Sequence, residues 1–251
     1  MPLYLYAIAP AKLPRLRVRG FDGAIVRRVR VDEILAMVSE IDAAPPLTEE
    51  SLRMHQDVID RLFAVVTILP IRFGTLLADT SGAVRMLRER KDVFSRTLAH
   101  LAGKAEISVK AAWDEFEPVP TPHGAKSGRG FLAKRLEVLA AVRAYQERAT
   151  EAGREIHHLL STKALAGVTT VGRANQFFNG DYLVRAKTPA PFLRICEEAR
   201  ERWQNYSFSV TGPWPPAAFA ARLTRVESRT DGQDLCTGNF WQLLTPKSNF
   251  M

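Results

Sequence analysis

Five histidines and two cysteines are the residues of this 251-residue chain with the widest chemical reach, and their spacing decides what they could do. His157 and His158 are neighbours in a stretch of helical pattern, so they point about 100° apart, whereas a chelating pair on a helix needs i and i+4 spacing. His55 stands four residues before Ile59 on an inward stripe with no carboxylate or nucleophile pattern beside it, which favours a hydrogen-bonded core or interface histidine over a general base. His100 and His123 have no partners visible in the sequence. Cys196, inside a helical pattern, and Cys236, near the end, form no metal-spaced set and fit a reducing compartment without disulfides. The run Gly124-Ala125-Lys126-Ser127-Gly128-Arg129-Gly130 lacks the glycine spacing of a phosphate loop and follows prolines rather than a strand. No G-x-S-x-G, HExxH or CxxC pattern occurs. The residue types therefore predict no catalytic group, no metal and no cofactor.

Composition and charge narrow the classes further. Nearly half the residues are apolar, enough for one large or two ordinary folded domains. No apolar run approaches the ~20 residues that span a bilayer, and the opening Met1-Pro2-Leu3-Tyr4 is not of signal type; a cytoplasmic protein is expected. The net charge of +8 is spread over the chain, +3 in residues 1–114 and +5 in 115–251. Its densest clusters, Arg15, Arg17 and Arg19, then Arg27, Arg28 and Arg30, read as the wet face of a sheet, or as a docking surface for an acidic partner.

The elements are organised around one stretch, His55 to Thr75, whose hydrophobic period changes midway. Leu52, Ile59, Leu62 and Val66 recur at helical spacing, and a continuous apolar run from Val65 to Phe73 predicts a buried strand. Before it, residues 3–9 predict a central strand ended by Pro10 and Pro14, and Ala24–Val31 a half-buried strand with Ile25, Val29 and Val31 inward. Ile34–Ser39 is ambiguous between helix and strand. Thr48 is the expected cap of a helix running to about Ala64. Thr80 is expected to cap one helix carrying Val84, Leu87, Phe94, Leu98 and Leu101, with Gly103 just past its end. Ile107 to Trp113 alternate as a strand.

A linker is expected at 115–129, where Pro118, Pro120 and Pro122 gather. Phe131 to about Thr162, with Leu132, Leu136, Leu139, Ile156 and Leu159 near one stripe and a polar centre from Arg143 to Arg154, predicts one long helix packed at both ends and exposed in the middle, or a hairpin broken near Gly153. Strands at Leu165–Val171 and Tyr182–Ala186, a helix opened by Thr188, Pro189 and Pro191, and a strand at Tyr206–Thr211 give most of a ferredoxin-like unit. Residues 222–251 show no fold of their own; Phe240, Trp241 and Phe250 lie there, and the segment is expected either to dock on a domain or a partner or to be disordered. The expected class is α+β: an N-terminal sheet-and-helix domain over 1–114, a ferredoxin-like domain with a long leading helix over 130–221, and a tail.

Leu69-Pro70-Ile71-Arg72-Phe73-Gly74-Thr75 resembles the LPxRFGT signature of the gas vesicle protein F/L family, and His55 falls where that family also carries a histidine. Thr211-Gly212-Pro213-Trp214-Pro215-Pro216 resembles its TGPWPP motif. With Leu3–Ile8, Ala36–Ser39 and Tyr182–Val184 in the family's order, the similarity covers residues 3 to 221, and it turns Ile34–Ser39 towards strand. The resemblance implies a cytoplasmic, non-enzymatic accessory or minor structural protein at the gas vesicle that binds the small hydrophobic shell protein, with other accessory proteins as further partners and no membrane. Arg72, Phe73, Gly74, Thr75, Trp214 and Pro215 are the candidate contact or structural residues. Arg72 reads as a strand-end arginine bonded to helix carbonyls or a carboxylate, or as part of a binding edge; Trp214 reads as a core cap or an interface anchor. The rival reading is a basic nucleic-acid-binding protein using the ferredoxin-like domain, against which stands the lack of the aromatic-rich strand of an RNA-recognition module.

Overall fold

The computed structural model describes residues 1–114, 128–172 and 175–230. By its internal contacts the chain divides into two units, one of Met1–Glu106 with the chain from Pro213 onward, the other of Ile107–Gly212.

In the first unit β1 (Leu3–Pro10) is buried along almost its whole length, as expected of an aromatic and aliphatic strand that has neighbours on both sides. One neighbour is β3 (Ile34–Glu40), antiparallel with Leu3 opposite Glu40 and Pro10 opposite Ile34, with a register shift between Leu5 and Ala7. Outside β3 lies β2 (Arg27–Val31), joined to it through Asp32 in the left-handed region. Two short strands, β4 (Leu69–Pro70) and β5 (Leu76–Leu77), share the other side of β1.

Helix α1 (Glu49–Phe63) starts where Thr48 Oγ1 accepts the Ser51 N–H, and buries His55, Val58, Ile59 and Leu62. The continuous strand expected from Val65 to Phe73 does not form. The chain turns after Phe63, Val65 is 44% exposed, and only Leu69 and Pro70 join the ladder. Pro70 has no N–H to extend it. The expected inward Ile25 is 62% exposed, and Val26 is buried instead, because β2 begins only at Arg27 and the isolated Arg19–Ile25 bridge sets a different parity before it.

The single helix expected after Thr80 is two, α2 (Thr80–Glu89) and α3 (Lys91–Leu101), broken at Arg90. Its cap is Asp79, one residue earlier than expected, whose carboxylate accepts the Gly82 N–H at 2.8 Å and is the stronger acceptor. Gly103 does follow the last turn in the left-handed region, its N–H donating to Thr67 Oγ1.

The second sheet explains why the sequence showed only most of a ferredoxin-like unit. Its missing first strand is β6 (Lys104–Trp113), which the linker at 115–129 had assigned to the N-terminal side. Then come α4 (Gly128–Ser161), β7 (Ala166–Val171), β8 (Gln176–Arg185), α5 (Ala190–Arg202) and β9 (Tyr206–Trp214). The strand order β7-β8-β6-β9 completes the β-α-β-β-α-β arrangement. The contact division runs through β6; residues 115–127 of the expected linker, with His123 and most of the glycine run, lie outside the described residues.

Helix α4 is continuous, not a hairpin. Gly153 serves packing: a Cβ there would stand 3.1 Å from the Phe178 ring. The buried stripe is Ala149, Gly153, Ile156 and Leu160, whereas Leu132, Leu136 and Leu139 are all more than half exposed. At 1.5 Å per residue the 34-residue helix is about 50 Å long, and strands of six to ten residues reach only about 20–33 Å.

Helix α6 (Ala217–Thr230) carries regular structure nine residues past Ala221, into the stretch whose sequence showed no fold of its own, with Thr224 fully buried. The remaining tail, including Cys236, Phe240, Trp241 and Phe250, lies outside the described residues. Buried Glu106 accepts the Ala218 N–H on Oε2 at 2.9 Å, placing a carboxylate at the positive end of α6. Glu106→Ala should lower unfolding stability by about 1–2 kcal/mol, read from the urea midpoint, and Glu106→Gln, which keeps an acceptor, should recover most of it.

Candidate functional site

Tyr4 and Tyr6 stand two apart on β1 and so point to one face. That face meets His55 of α1, Phe21 of the loop before β2, and Phe73 of the turn between β4 and β5. The rings interlock, with Tyr4 centroids 4.8 Å from Tyr6 and Phe21, and His55 5.7 Å from Phe73.

Polar tips fix the rings in place. His55 Nε2 lies 3.0 Å from the Ile71 carbonyl, which can only accept, so Nε2 carries the proton and Nδ1 is an acceptor. Tyr4 Oη, 3.0 Å from Nδ1, must then donate to it, and at the same time accepts the Gly74 N–H at 2.9 Å. Gly74 to Tyr4 to His55 to Ile71 is thus a closed chain of donors and acceptors that ties both ends of the Arg72-Phe73 turn to a strand and a helix. Tyr6 Oη accepts the Phe21 N–H and pairs with Ser39 Oγ.

The backbone closes the same turn. Ile71 N donates to the Tyr6 carbonyl and Leu5 N to the Thr75 carbonyl, while Thr75 Oγ1 donates across the turn to the Arg72 carbonyl at 2.7 Å. Gly74 has φ +82 with open space where a Cβ would sit, so backbone conformation rather than room calls for glycine there. Gly20 differs: a Cβ there would meet the Tyr6 hydroxyl.

Burial sets the charge states. The His55 imidazole is driven down to about 4, the Ile71 carbonyl opposing the shift only in part, and the Tyr4 and Tyr6 phenols are pushed up by the same desolvation. All three are neutral near pH 7, and the ring nitrogens of His55 are already engaged, so the cluster organises structure rather than proton transfer. Elsewhere, His157 Nδ1 lies 3.1 Å from Tyr182 Oη, and the buried Cys196 thiol is raised to about 12, far from a reactive thiolate. Among the described residues no group of three or more His, Cys, Asp or Glu could hold a metal ion, and no helix is long and apolar enough to cross a membrane.

Arg72, Phe73, Gly74 and Thr75 are therefore brought together in one pinned turn: Thr75 buried, Arg72 and Phe73 half-buried, Gly74 exposed. Trp214 and Pro215 stand apart from it in the chain, at the head of α6. Pro215 is buried and Trp214 is 40% exposed. Helix α6 packs with α3 and against β4, so the second motif launches the helix that braces the start of the first. The sequence reading missed Tyr4, Tyr6, Phe21 and Ser39. The available signal was two tyrosines alternating in an otherwise apolar strand, since a buried phenol needs a partner.

The arrangement is that of a two-unit α+β protein with a braced aromatic turn whose polar groups satisfy one another. The family model described as gas vesicle synthesis protein GvpL/GvpF matches residues 2–221, and the chain belongs to that family of proteins of gas vesicle formation. It is 32% identical over 249 residues to gas vesicle protein L of Streptomyces sp. (strain CB03234), covering 86% of this chain and 92% of that one. It is 26% identical over 244 residues to gas vesicle protein F of the same strain, covering 87% and 99%. The crystal structure of gas vesicle protein GvpF from Anabaena sp. PCC7120 shares the fold at a TM-score of 0.70 and 19% identity, over 87% of this chain and 98% of that one.

Because the folded His55 resists protonation, the unfolded chain takes up a proton first as pH falls below about 6.5. Stability is then complete above that pH and is lost between about 6.5 and 4, by on the order of 3 kcal/mol. Urea midpoints at pH 7.5 and pH 5 should show the fall, and His55→Gln should flatten it. Tyr4→Phe should cost about 1–2 kcal/mol at pH 7.5 by stripping His55 Nδ1 and the Gly74 N–H of their shared partner.

Proposed function

We propose that this chain is a non-enzymatic accessory protein that binds the small hydrophobic gas vesicle shell protein and supports assembly of the vesicle wall, acting in the cytoplasm at the growing vesicle. Before assembly such a subunit presents apolar surface and unpaired strand edges, and would aggregate unless a partner held it. The observation that carries the reading is the pinned turn: Arg72 and Phe73 are held at a half-buried position by hydrogen bonds at both ends of their loop, so little conformational entropy is lost when a partner docks. Trp214, a part-exposed indole stiffened by Pro213 and Pro215, supplies a second rigid aromatic of the kind that dominates binding energy.

Four of the six arginines in the two basic clusters have local partners, Arg19 on the Gly23 carbonyl among them. Arg27 pairs with Glu40 at 2.5 Å, Arg28 donates to the Leu13 and Pro14 carbonyls, and Arg30 donates to the Asp32 carbonyl. That leaves β2 a weak phosphate tracker.

Co-expression of the tagged full chain with the shell protein should retain the shell protein on the affinity matrix. Arg72→Ala and Trp214→Ala should each lower its retention by about tenfold while leaving the circular dichroism spectrum unchanged. Retention no better than with an unrelated tagged protein would overturn the reading.

A further inference from the structure

Sheet edges expose unpaired amides, and natural proteins blunt them with charge, proline, short strands or covering groups. Three edges of this protein are blunted. Strand β2 carries Arg27, Arg28 and Arg30. The far side of β1 is met only by the two-residue strands β4 and β5. Strand β9 ends in Pro213 and Trp214, and Arg200 donates to its Phe208 carbonyl.

The fourth edge, β7, has none of these devices among the described residues. Ala166-Gly167-Val168-Thr169-Thr170-Val171 contains no charge and no proline, four of its six residues are exposed, and Leu165 and Val171 at its ends are about half exposed. Asp181, opposite Val168 on β8, is turned to Ser108 of β6 through a 2.6 Å hydrogen bond. Asp181 therefore does not guard the strand.

The register shows which amides are on offer. Gly172 N donates to the Phe177 carbonyl at one end of the β7–β8 ladder, and Leu165 N to the Leu183 carbonyl at the other, where Leu183 also faces Ala166. Antiparallel pairs alternate between bonded and non-bonded positions. Counting back from Gly172, Thr170, Val168 and Ala166 bond to β8, and the N–H and C=O groups of Gly167, Thr169 and Val171 point outward. The Leu165 bond agrees with this count as a bulge at the strand start.

We infer that β7 is the seat of an added strand, an extended, uncharged, β-branched segment of the shell subunit, paired through the outward amides of Gly167, Thr169 and Val171. This rests on the proposed function for the identity of the partner. The chemistry of the edge selects such an occupant, since a charged strand would bury its charges beside Val168, Val171 and Leu165. A second copy of this chain, whose own β7 is also uncharged, is the competing occupant, and dilution of the free chain separates the two. Main-chain bonds would supply the affinity, and the small flanking side chains leave room for apolar neighbours on both faces.

The geometry supplies its own test. Thr169→Pro removes an N–H that points away from β8, so the β7–β8 ladder keeps its bonds. In co-expression with the shell protein, Thr169→Pro and Thr169→Lys should each lower retention at least about tenfold relative to the unaltered chain, with urea midpoints little changed. Amide exchange of the full chain should show Gly167, Thr169 and Val171 fast when free and slowed in the complex.

If the unaltered chain retains shell protein and both variants retain it equally, strand addition at β7 is overturned while the assembly reading stands. If the unaltered chain retains none, the assembly reading fails and the inference with it. Protection of those three amides in the free chain that disappears on dilution would assign the edge to a second copy and overturn the inference. Should either variant fail to fold, the exchange pattern of the unaltered complex decides: unprotected outward amides in the complex overturn the inference.

Discussion

The donor chain through Gly74, Tyr4, His55 and Ile71 is the constraint on which the first unit depends. Backbone bonds already join the turn to the central strand, and the donor chain adds helix α1 to both, where apolar contact alone would be indifferent to small sliding motions. Directional bonds between buried groups remove that freedom, since any displacement leaves an imidazole nitrogen or a phenol unsatisfied. His55 performs this task only as the neutral tautomer, and burial is what keeps it neutral. Stability and the conformation of the turn are in this way the same property of one residue.

Much of this could be read from residue types alone, and the failures have physical causes. Thr48 as a cap, β1 as a central strand and Gly103 as a left-handed terminus follow from local rules that tertiary packing did not override. The expected strand from Val65 to Phe73 failed because apolar runs do not distinguish a ladder from a turn packed on a core: Ile68, Leu69 and Ile71 are buried, yet only two residues pair. The break at Arg90 was invisible because the apolar face resumes after it. On α4, Leu132, Leu136 and Leu139 have the spacing of a buried stripe, but the helix is far longer than the strands of its sheet.

The pinned turn was legible as a place and not as a mechanism. Proline, arginine and glycine among residues suited to burial marked Leu69–Thr75 as a junction. What completes the junction comes from Tyr4, 70 residues before Gly74, and no spacing rule reaches that far. Glu106 is a comparable case: in sequence it is a polar residue at the start of an alternating strand, and its role as the carboxylate of α6 depends on a segment 112 residues downstream. β6 was assigned to the wrong sheet for a related reason, since a strand's alternation records that one face is wet and says nothing about which neighbours it takes.

The first unit is built from two pieces of chain, one ending at Glu106 and the other starting at Pro213, whereas the second is contiguous. On a ribosome the amino-terminal sheet emerges first, and α6, whose Phe219, Ala220 and Thr224 are buried, is synthesised only after the whole ferredoxin-like unit. The contiguous unit has all but the last two residues of its edge strand β9 by Gly212. Synthesis from the amino terminus therefore supplies the last piece of the first unit only after almost all of the second has been made.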